Sequence, residues 1–280
     1  MKIRPLNDAV GVEIVDLDLT RTLSESDAAA IQDAFLEHHL ICFRTNPLSR
    51  AAFDQVARYF GDPQAQLLRS QRDDDVPTVS ILDSTYTTPD SKPADMNLMR
   101  LTGWHTDDSY MSKPAKATML QSLEIPDSGG QTGFSNTRKA YEDLPDDVKA
   151  RCEGLQAVHS YDTVRAPATA KGLTKVENDE TPDVVHPLIR TNEDSGKKAI
   201  YVNMNRTDQI VGMDRAESDA LLDVLVERMI RPEYRYHHEW SVGDLLLWDN
   251  RCLVHSVNMD FPVGQTRLHQ RILLKGDTPV

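Results

Sequence analysis

Apolar residues recur at every second position through Gly11-Val12-Glu13-Ile14-Val15-Asp16-Leu17, the alternation of a strand with one buried face. Ser24, with Asp27 three residues on, marks a helix start, and Ile31, Ala34 and Phe35 supply a stripe at helical spacing through His38. Leu40-Ile41-Cys42-Phe43 is continuously apolar and reads as a short buried strand. Ser49 then caps a second helix whose face is Phe53, Val56, Ala57 and Phe60, stopped by Gly61. The chain therefore opens β-α-β-α. From 62 to 104 the pattern gives way to Asp, Pro, Ser and Thr, with one apolar island from Val76 to Leu82. A second polar stretch, Asp162 to Asp183, carries Pro167, Gly172 and Pro182. Long loops in a compact domain tend to be lids or binding segments, so the stretches near 62–104 and 162–183 are expected to cover a site. Asp214 with Glu217 predicts a capping box opening the helix of Leu221, Leu222, Leu225 and Met229, which should end before Pro232. Tyr234 to Lys275 reads as strand-rich. No repeat or linker interrupts the pattern, so one domain spanning 1–280 is expected, with a β-sheet core and flanking helices.

Composition narrows the partners. The 280 residues are 39% hydrophobic and 27% charged, enough apolar surface for a real core and far from the signature of disorder. A formal charge of −13 disfavours phosphate backbones and anionic lipid, so no nucleic-acid or membrane partner is expected. No stretch approaches the roughly 20 apolar residues of a membrane helix, and Met1-Lys2-Ile3-Arg4-Pro5 runs into polar sequence without a signal-like apolar run. Cys42, Cys152 and Cys252 are odd in number and far apart, which argues against a disulfide framework and for a cytoplasmic protein. The sequence leaves a homo-oligomer open.

Three clusters carry candidate chemistry. In Gly103-Trp104-His105-Thr106-Asp107-Asp108, an extended backbone points His105 and Asp107 to one face and turns Asp108 to the other. An H-x-D pair alone is more often a solvated pair than a metal site. Trp248-Asp249-Asn250-Arg251 reads as a buried strand turning at Asp-Asn into a second one that ends in His255. Two histidines and a carboxylate on one metal leave three coordination positions open, which suits an oxygenase with a chelating cosubstrate. In Arg267-Leu268-His269-Gln270-Arg271, the period of two puts Arg267, His269 and Arg271 on one strand face. If that face is turned inward its arginines need anions, and a guanidinium is suited to holding a carboxylate through paired hydrogen bonds.

Together these residues resemble the taurine dioxygenase-like (TauD/TfdA) family of Fe(II)/2-oxoglutarate-dependent dioxygenases over nearly the whole chain. The family signature of H-x-D followed much later by His matches His105, Asp107 and His255, with Arg267 and Arg271 twelve and sixteen residues after the second histidine. Gly129-Gly130-Gln131-Thr132, His186-Pro187-Leu188-Ile189-Arg190-Thr191, Ser195-Gly196-Lys197, Tyr201-Val202-Asn203 and Trp248-Asp249-Asn250-Arg251 are further family-like stretches. The resemblance implies a mainly β fold with flanking α, a double-stranded β-helix or jelly-roll barrel. It implies Fe(II), 2-oxoglutarate and O₂ as cofactor and cosubstrates, with His105, Asp107 and His255 as metal ligands and catalytic centre. Arg267 and Thr132 would then bind 2-oxoglutarate, and Arg271 would receive a small anionic substrate. The implied reaction is an oxidation, by default a hydroxylation, with release of succinate and CO₂.

The chain departs from the taurine-type pattern where substrate is read. Gln66 and Arg69 stand where those enzymes carry a substrate-contacting His and Tyr, and Leu101 replaces an Asn. Taurine is therefore not the expected substrate, and the polar insertion from Thr87 to Gly103 suggests a reshaped lid. Two other readings use the same residues. A zinc hydrolase on a cupin-like barrel would accept His-Asp-His but would not need Arg267 and Thr132, and a non-catalytic small-molecule binding barrel would tolerate loss of a ligand.

Overall fold

The computed structural model describes residues 1–85, 103–166 and 173–280. β1 (Lys2–Pro5) and β2 (Val12–Val15) pair antiparallel. β1 is exposed throughout, which is why no alternation announces it. α1 (Glu25–His38) begins where the Ser24 hydroxyl accepts from the Asp27 amide. It ends at His39, whose left-handed φ of 64° turns the chain into β3 (Leu40–Phe43). α2 (Arg50–Ala57), capped by Ser49, stops at Ala57, and the chain turns through Phe60 until the Gly61 amide closes on the Ala57 carbonyl. β4 (Pro63–Gln64) and β5 (Val79–Asp83) follow.

The middle of the chain holds β6 (Ala117–Glu124), β7 (Thr132–Asn136), α3 (Thr137–Glu142), α4 (Asp146–Cys152) and β8 (Gln156–His159). Next come α5 (Lys175–Asp179), β9 (Val184–Pro187), β10 (Ile189–Thr191), β11 (Lys198–Ile200), β12 (Thr207–Ile210) and α6 (Arg215–Met229). The last strands are β13 (Arg235–His238), β14 (Leu245–Asp249), β15 (Leu253–Val257) and β16 (Leu268–Leu274). The helix over 215–229 ends before Pro232 as expected, but Asp214 caps it by accepting from the Ala216 amide. The reciprocal capping box lies instead at Thr174 and Glu177, opening α5 inside a stretch read as loop. No helix among the described residues is long and apolar enough to cross a membrane.

The fold is mainly β with flanking helices. Its largest sheet runs β1-β2-β3-β14-β6-β16-β4, with β5 also pairing on β16. The sheet β13-β7-β15 lies against it, with β12-β8-β9 and the hairpin β10-β11 beyond. No sheet closes into a barrel by hydrogen bonding among the described residues, so the expected barrel is present only as facing sheets. Period-two alternation sorts the large sheet cleanly. Ile41, Phe43, Ala117, Met119, Leu245, Leu247, Ile272 and Leu274 pack on Ile31, Phe35, Phe53 and Val56 of the helices. Leu40, Cys42, Leu120, Leu246 and Trp248 point the other way, to Phe134 and Leu253 of the facing sheet. Burying each such large side chain is worth about 1.5–3 kcal/mol, so a register slip of one residue would forfeit both faces at once.

Candidate active site

The sorting of faces decides where the polar side chains of β16 go. Ile272 and Leu274 pack on the helices, so Arg271 and His269, and Arg267 just before the strand, take the opposite parity and face the second sheet. On β15 the same rule turns Val254 outward and His255 inward, where it meets the Phe134 and Trp248 rings. His255 is the middle residue of β15 rather than its last, since the strand continues to Val257.

A two-residue bridge brings the H-x-D segment to this face. The His105 amide donates to the His255 carbonyl at 2.9 Å, and the His255 amide returns to the His105 carbonyl at 2.7 Å. The two imidazole rings lie 4.2 Å apart, and the ligand atoms of His105, Asp107 and His255 all fall within 4.8 Å of one another. His105 Nδ1 donates to the Gly103 carbonyl at 2.8 Å, which leaves the Nε2 lone pair available to a metal. Asp107 Oδ2 accepts from the Thr118 hydroxyl at 2.7 Å, and Oδ1 lies 3.4 Å from Arg271 Nη1.

Burial pushes the Asp107 carboxyl up, yet the charges that His255 and His105 take on at low pH, together with that of Arg271, outweigh it and hold it at about 2. Burial, reinforced by His105, holds His255 at about 3, and burial likewise lowers His105. The triad is thus an ionised carboxylate with two neutral imidazoles, the protonation states a divalent metal binds. Three protein donors on one side, with neighbouring polar groups beyond, fit an iron that keeps open positions.

Arg267 is built into the far end of the same face. Gly129 and Gly130 take φ of 74° and 69°, a turn only glycine adopts cheaply, and this presents the Gly130 carbonyl to Arg267 Nε at 2.9 Å. A Cβ on Gly130 would meet Arg267 Nε at 3.2 Å. Arg267 Nη2 reaches the Thr132 hydroxyl at 3.3 Å, and that hydroxyl accepts from Trp240 Nε1 at 3.1 Å. Between the two arginines, His269 is fully buried and neither ring nitrogen has a hydrogen-bond partner among the described residues.

A cavity of about 210 Å³ adjoins the triad, lined by His105, Asp107, Asp108, Gln66, Arg271, Arg206, Tyr110 and Tyr161 among others. Asp108 does not turn away as the alternation predicts. Its φ of 54° breaks the extended backbone, and its carboxylate accepts from Gln64 Nε2 and the Tyr110 hydroxyl, both at 3.0 Å. Burial, with Asp107 second, pushes it up to about 6. Gln66 lines this cavity, whereas Arg69 does not. Arg69 pairs with Glu180 at 2.7 Å and lines an adjoining cavity of about 580 Å³ that shares Leu68, Gln71 and Leu82. Leu101 and most of the Thr87–Gly103 insertion lie outside the described residues.

Sequence reasoning missed Thr118, which strand pairing sets beside Asp107, and Trp240, Tyr110, Tyr161 and Arg206, which lie in loops and turns where no period marks a face. Only Asn203, in the Tyr201-Val202-Asn203 stretch, gave a signal. Its amide donates to the Thr106 carbonyl at 2.9 Å and the Ser109 hydroxyl at 3.0 Å, tying its loop to the H-x-D segment. A second donor group, His39, Asp249 and Cys252, is also clustered, but His39 Nε2 and the Asp249 carboxylate are already held by protein. Arg138 donates to His39 Nε2 at 2.9 Å, and Arg251 and Asn192 fill the Asp249 carboxylate. Burial pushes the Cys252 thiol up, so no thiolate is at hand.

Comparison with known proteins agrees with this geometry. Residues 2–273 match the model of the taurine catabolism dioxygenase TauD, TfdA family. The alpha-ketoglutarate-dependent 2,4-dichlorophenoxyacetate dioxygenase of Cupriavidus pinatubonensis is 31% identical over 258 residues, covering 90% of each chain. An alkylsulfatase of Acinetobacter baylyi is 32% identical over 288 residues, covering 99% of this chain and 86% of its own. The crystal structure of a taurine dioxygenase from Burkholderia xenovorans superposes with a TM-score of 0.83 at 30% identity, over 100% of this chain and 90% of that one. The chain belongs to the TauD/TfdA family and is an Fe(II)/2-oxoglutarate-dependent oxidoreductase.

Proposed function

We propose that this enzyme oxidises a small anionic organic substrate, by default through hydroxylation, while converting 2-oxoglutarate to succinate and CO₂. The observation that carries the reading is the shared inner face, with three clustered candidate ligand side chains, Arg271 against Asp107, and Arg267 four residues back along the same face beside Thr132. The facing sheets are read as a double-stranded β-helix, the chain as one domain, and its setting as the cytoplasm. Relatives that act on phenoxyacetates and sulfate esters support an acidic substrate.

His105, Asp107 and His255 would hold Fe(II), and Thr118 and the Gly103 carbonyl orient two of these ligands. Arg267, set by Gly130 and Thr132, would grip the far carboxylate of 2-oxoglutarate. When bound, the iron would activate O₂, which supplies the oxidising equivalents, while 2-oxoglutarate gives up two electrons in its decarboxylation. Arg271 would hold the substrate's anionic group, and Gln66, with the Tyr110 and Tyr161 rings, would shape the space over the reacting carbon. Arg69 belongs to the outer part of the pocket in this reading. Because the contacts expected for taurine's ammonium end are replaced, taurine should be a poor substrate.

The test screens sulfonates, sulfate esters and carboxylic acids for substrate-stimulated succinate release, with taurine and neutral analogues as controls. Stimulation by a subset of acids is expected, with His255→Ala losing both iron and turnover. Normal iron content in His255→Ala, or stimulation by neutral compounds alone, would overturn the assignment. In Arg271→Leu, acid binding should weaken about 10- to 150-fold, the loss of one charge-assisted contact, with 2-oxoglutarate binding little changed.

A further inference from the structure

Arg271 is not the only guanidinium over the triad. Arg206 lines the same cavity from the loop between β11 and β12, and among the described residues it has no carboxylate partner. It is nonetheless held in place. Its guanidinium carbon sits 4.4 Å from the Tyr161 ring centre and 5.4 Å from that of Tyr110, and its Nη1 donates to the Tyr161 carbonyl. The two rings meet edge to face at 5.0 Å. Tyr110 is fixed in turn by its hydroxyl bond to Asp108, whose other oxygen is taken by Gln64. The Asn203 amide pins the base of the loop to Thr106 and Ser109, so Arg206 is referenced to the backbone that carries His105 and Asp107.

Such an arrangement is costly unless it meets an anion. A solvated arginine needs no two-ring cradle, whereas a partly desolvated one without an acid gains only cation–π contact. Arg271 is itself incompletely matched, since Nη1 is 3.4 Å from Asp107 and the buried Nε has no partner among the described residues. The Asp108 carboxylate does not quench either arginine by direct contact, because both its oxygens are turned to Gln64 and Tyr110.

We propose that Arg206 is a second substrate-binding residue and that the substrate's anionic group is gripped jointly by Arg206 and Arg271. Tyr110, Asp108 and Gln64 act as positioning residues for that grip. The inference rests on the substrate pocket proposed above and adds what sets its selectivity: an acid group that satisfies two forks at once. A neutral compound of the same shape would leave both forks unpaired.

The experiment uses the Fe(II) protein under anaerobic conditions, with and without 2-oxoglutarate, and reads binding by calorimetry. The probes are hexane-1-sulfonate, hexyl sulfate and heptanoate, with the neutral hexyl methyl sulfone and heptanamide as shape controls. Arg206→Leu is expected to weaken the acids about 10- to 150-fold and the neutral probes less than 2-fold. Arg206→Lys, which keeps the charge but not the fork, should recover part of the loss. Tyr110→Phe, which keeps the ring but loses the bond to Asp108, should weaken the acids a few-fold. In the Arg206→Leu, Arg271→Leu double variant the combined loss should be smaller than the product of the single losses, because both forks act on one group. Equal weakening of acids and neutral probes, no effect of Arg206→Leu, multiplicative losses, or a wild type that binds none of the acids would each overturn the joint grip. Failure of 2-oxoglutarate itself to bind the Fe(II) protein would instead overturn the reading under Proposed function, and the two results are separately readable.

Discussion

Thr118→Val tests how the metal carboxylate is held. The substitution is close to isosteric and removes only a hydroxyl that joins two partners. Thr118 Oγ1 donates to Asp107 Oδ2 at 2.7 Å and accepts from Asn250 Nδ2 at 2.8 Å. Asn250 Oδ1 accepts from Trp248 Nε1 at 2.9 Å, and its carbonyl accepts from the Thr106 hydroxyl at 2.7 Å. All of these groups are buried. Valine would leave a buried Asn250 donor without an acceptor, which costs about 1–3 kcal/mol and lowers Tm by a few degrees in a chain of this size. It would also free Asp107 to rotate toward Arg271, and loss of such a supporting contact typically weakens metal affinity by about 10- to 100-fold. The assay pairs a Tm measurement on metal-free protein with Fe(II) or Mn(II) titration by calorimetry. Both quantities should fall. A lowered Tm with unchanged metal affinity would refute the positioning role and reduce the network to structural hydrogen bonding.

Three further outcomes follow from the geometry. Arg267→Lys keeps the charge but loses the fork that joins Gly130 to Thr132, so the apparent KM for 2-oxoglutarate should rise about 10-fold or more, and an unchanged value would refute the role. Asp249→Asn would leave Arg251, bound bidentately and buried, short of its main counter-charge, and should cost about 3–5 kcal/mol by denaturant unfolding; a cost below about 1 kcal/mol would show that Asp194 and Glu193 suffice. Burial holds His159 at about 3, far below an unfolded histidine near 6.5, so this residue favours the fold above about pH 6.5 and that contribution is lost as pH falls toward 3. Stability should decline over that window, and His159→Gln should flatten the decline; an identical pH profile in the variant would exclude His159 as a contributor.

Much of the site was legible because a strand's period of two is a purely local rule. It placed Arg267, His269 and Arg271 on one face and His105 beside Asp107, without knowledge of any partner strand. Helix starts at Ser24 and Ser49 were equally local, since a capping hydroxyl reaches an amide only three residues on. What the rule cannot supply is pairing. β14 sits between β3 and β6, elements separated from it by more than a hundred residues, and only that order sets Thr118 beneath Asp107. Asp108 escaped because a single φ of 54° cancels the alternation, and Asp tolerates that region without a glycine to announce it. Arg206 escaped for the opposite reason: its loop has no period at all, and Asn203 fixes it through contacts to residues 94 and 97 positions away.

The distribution of charge explains how an acidic protein could serve the acidic substrate proposed for it. The net charge of −13 resides largely on exposed side chains, and at physiological ionic strength their fields decay over about 8 Å. Approach is therefore only weakly opposed, while selection happens at contact, inside the facing sheets. There the order of cations along β16 does the sorting. Arg267 is tied to a glycine carbonyl and a threonine and lines a separate small recess with Trp240 and His269. Arg271 leans on Asp107, which draws it to the metal end. Two guanidiniums four residues apart, one just before β16 and one within it, thus face different neighbours, and a cosubstrate and the proposed substrate, both anions, could be told apart by position rather than by charge.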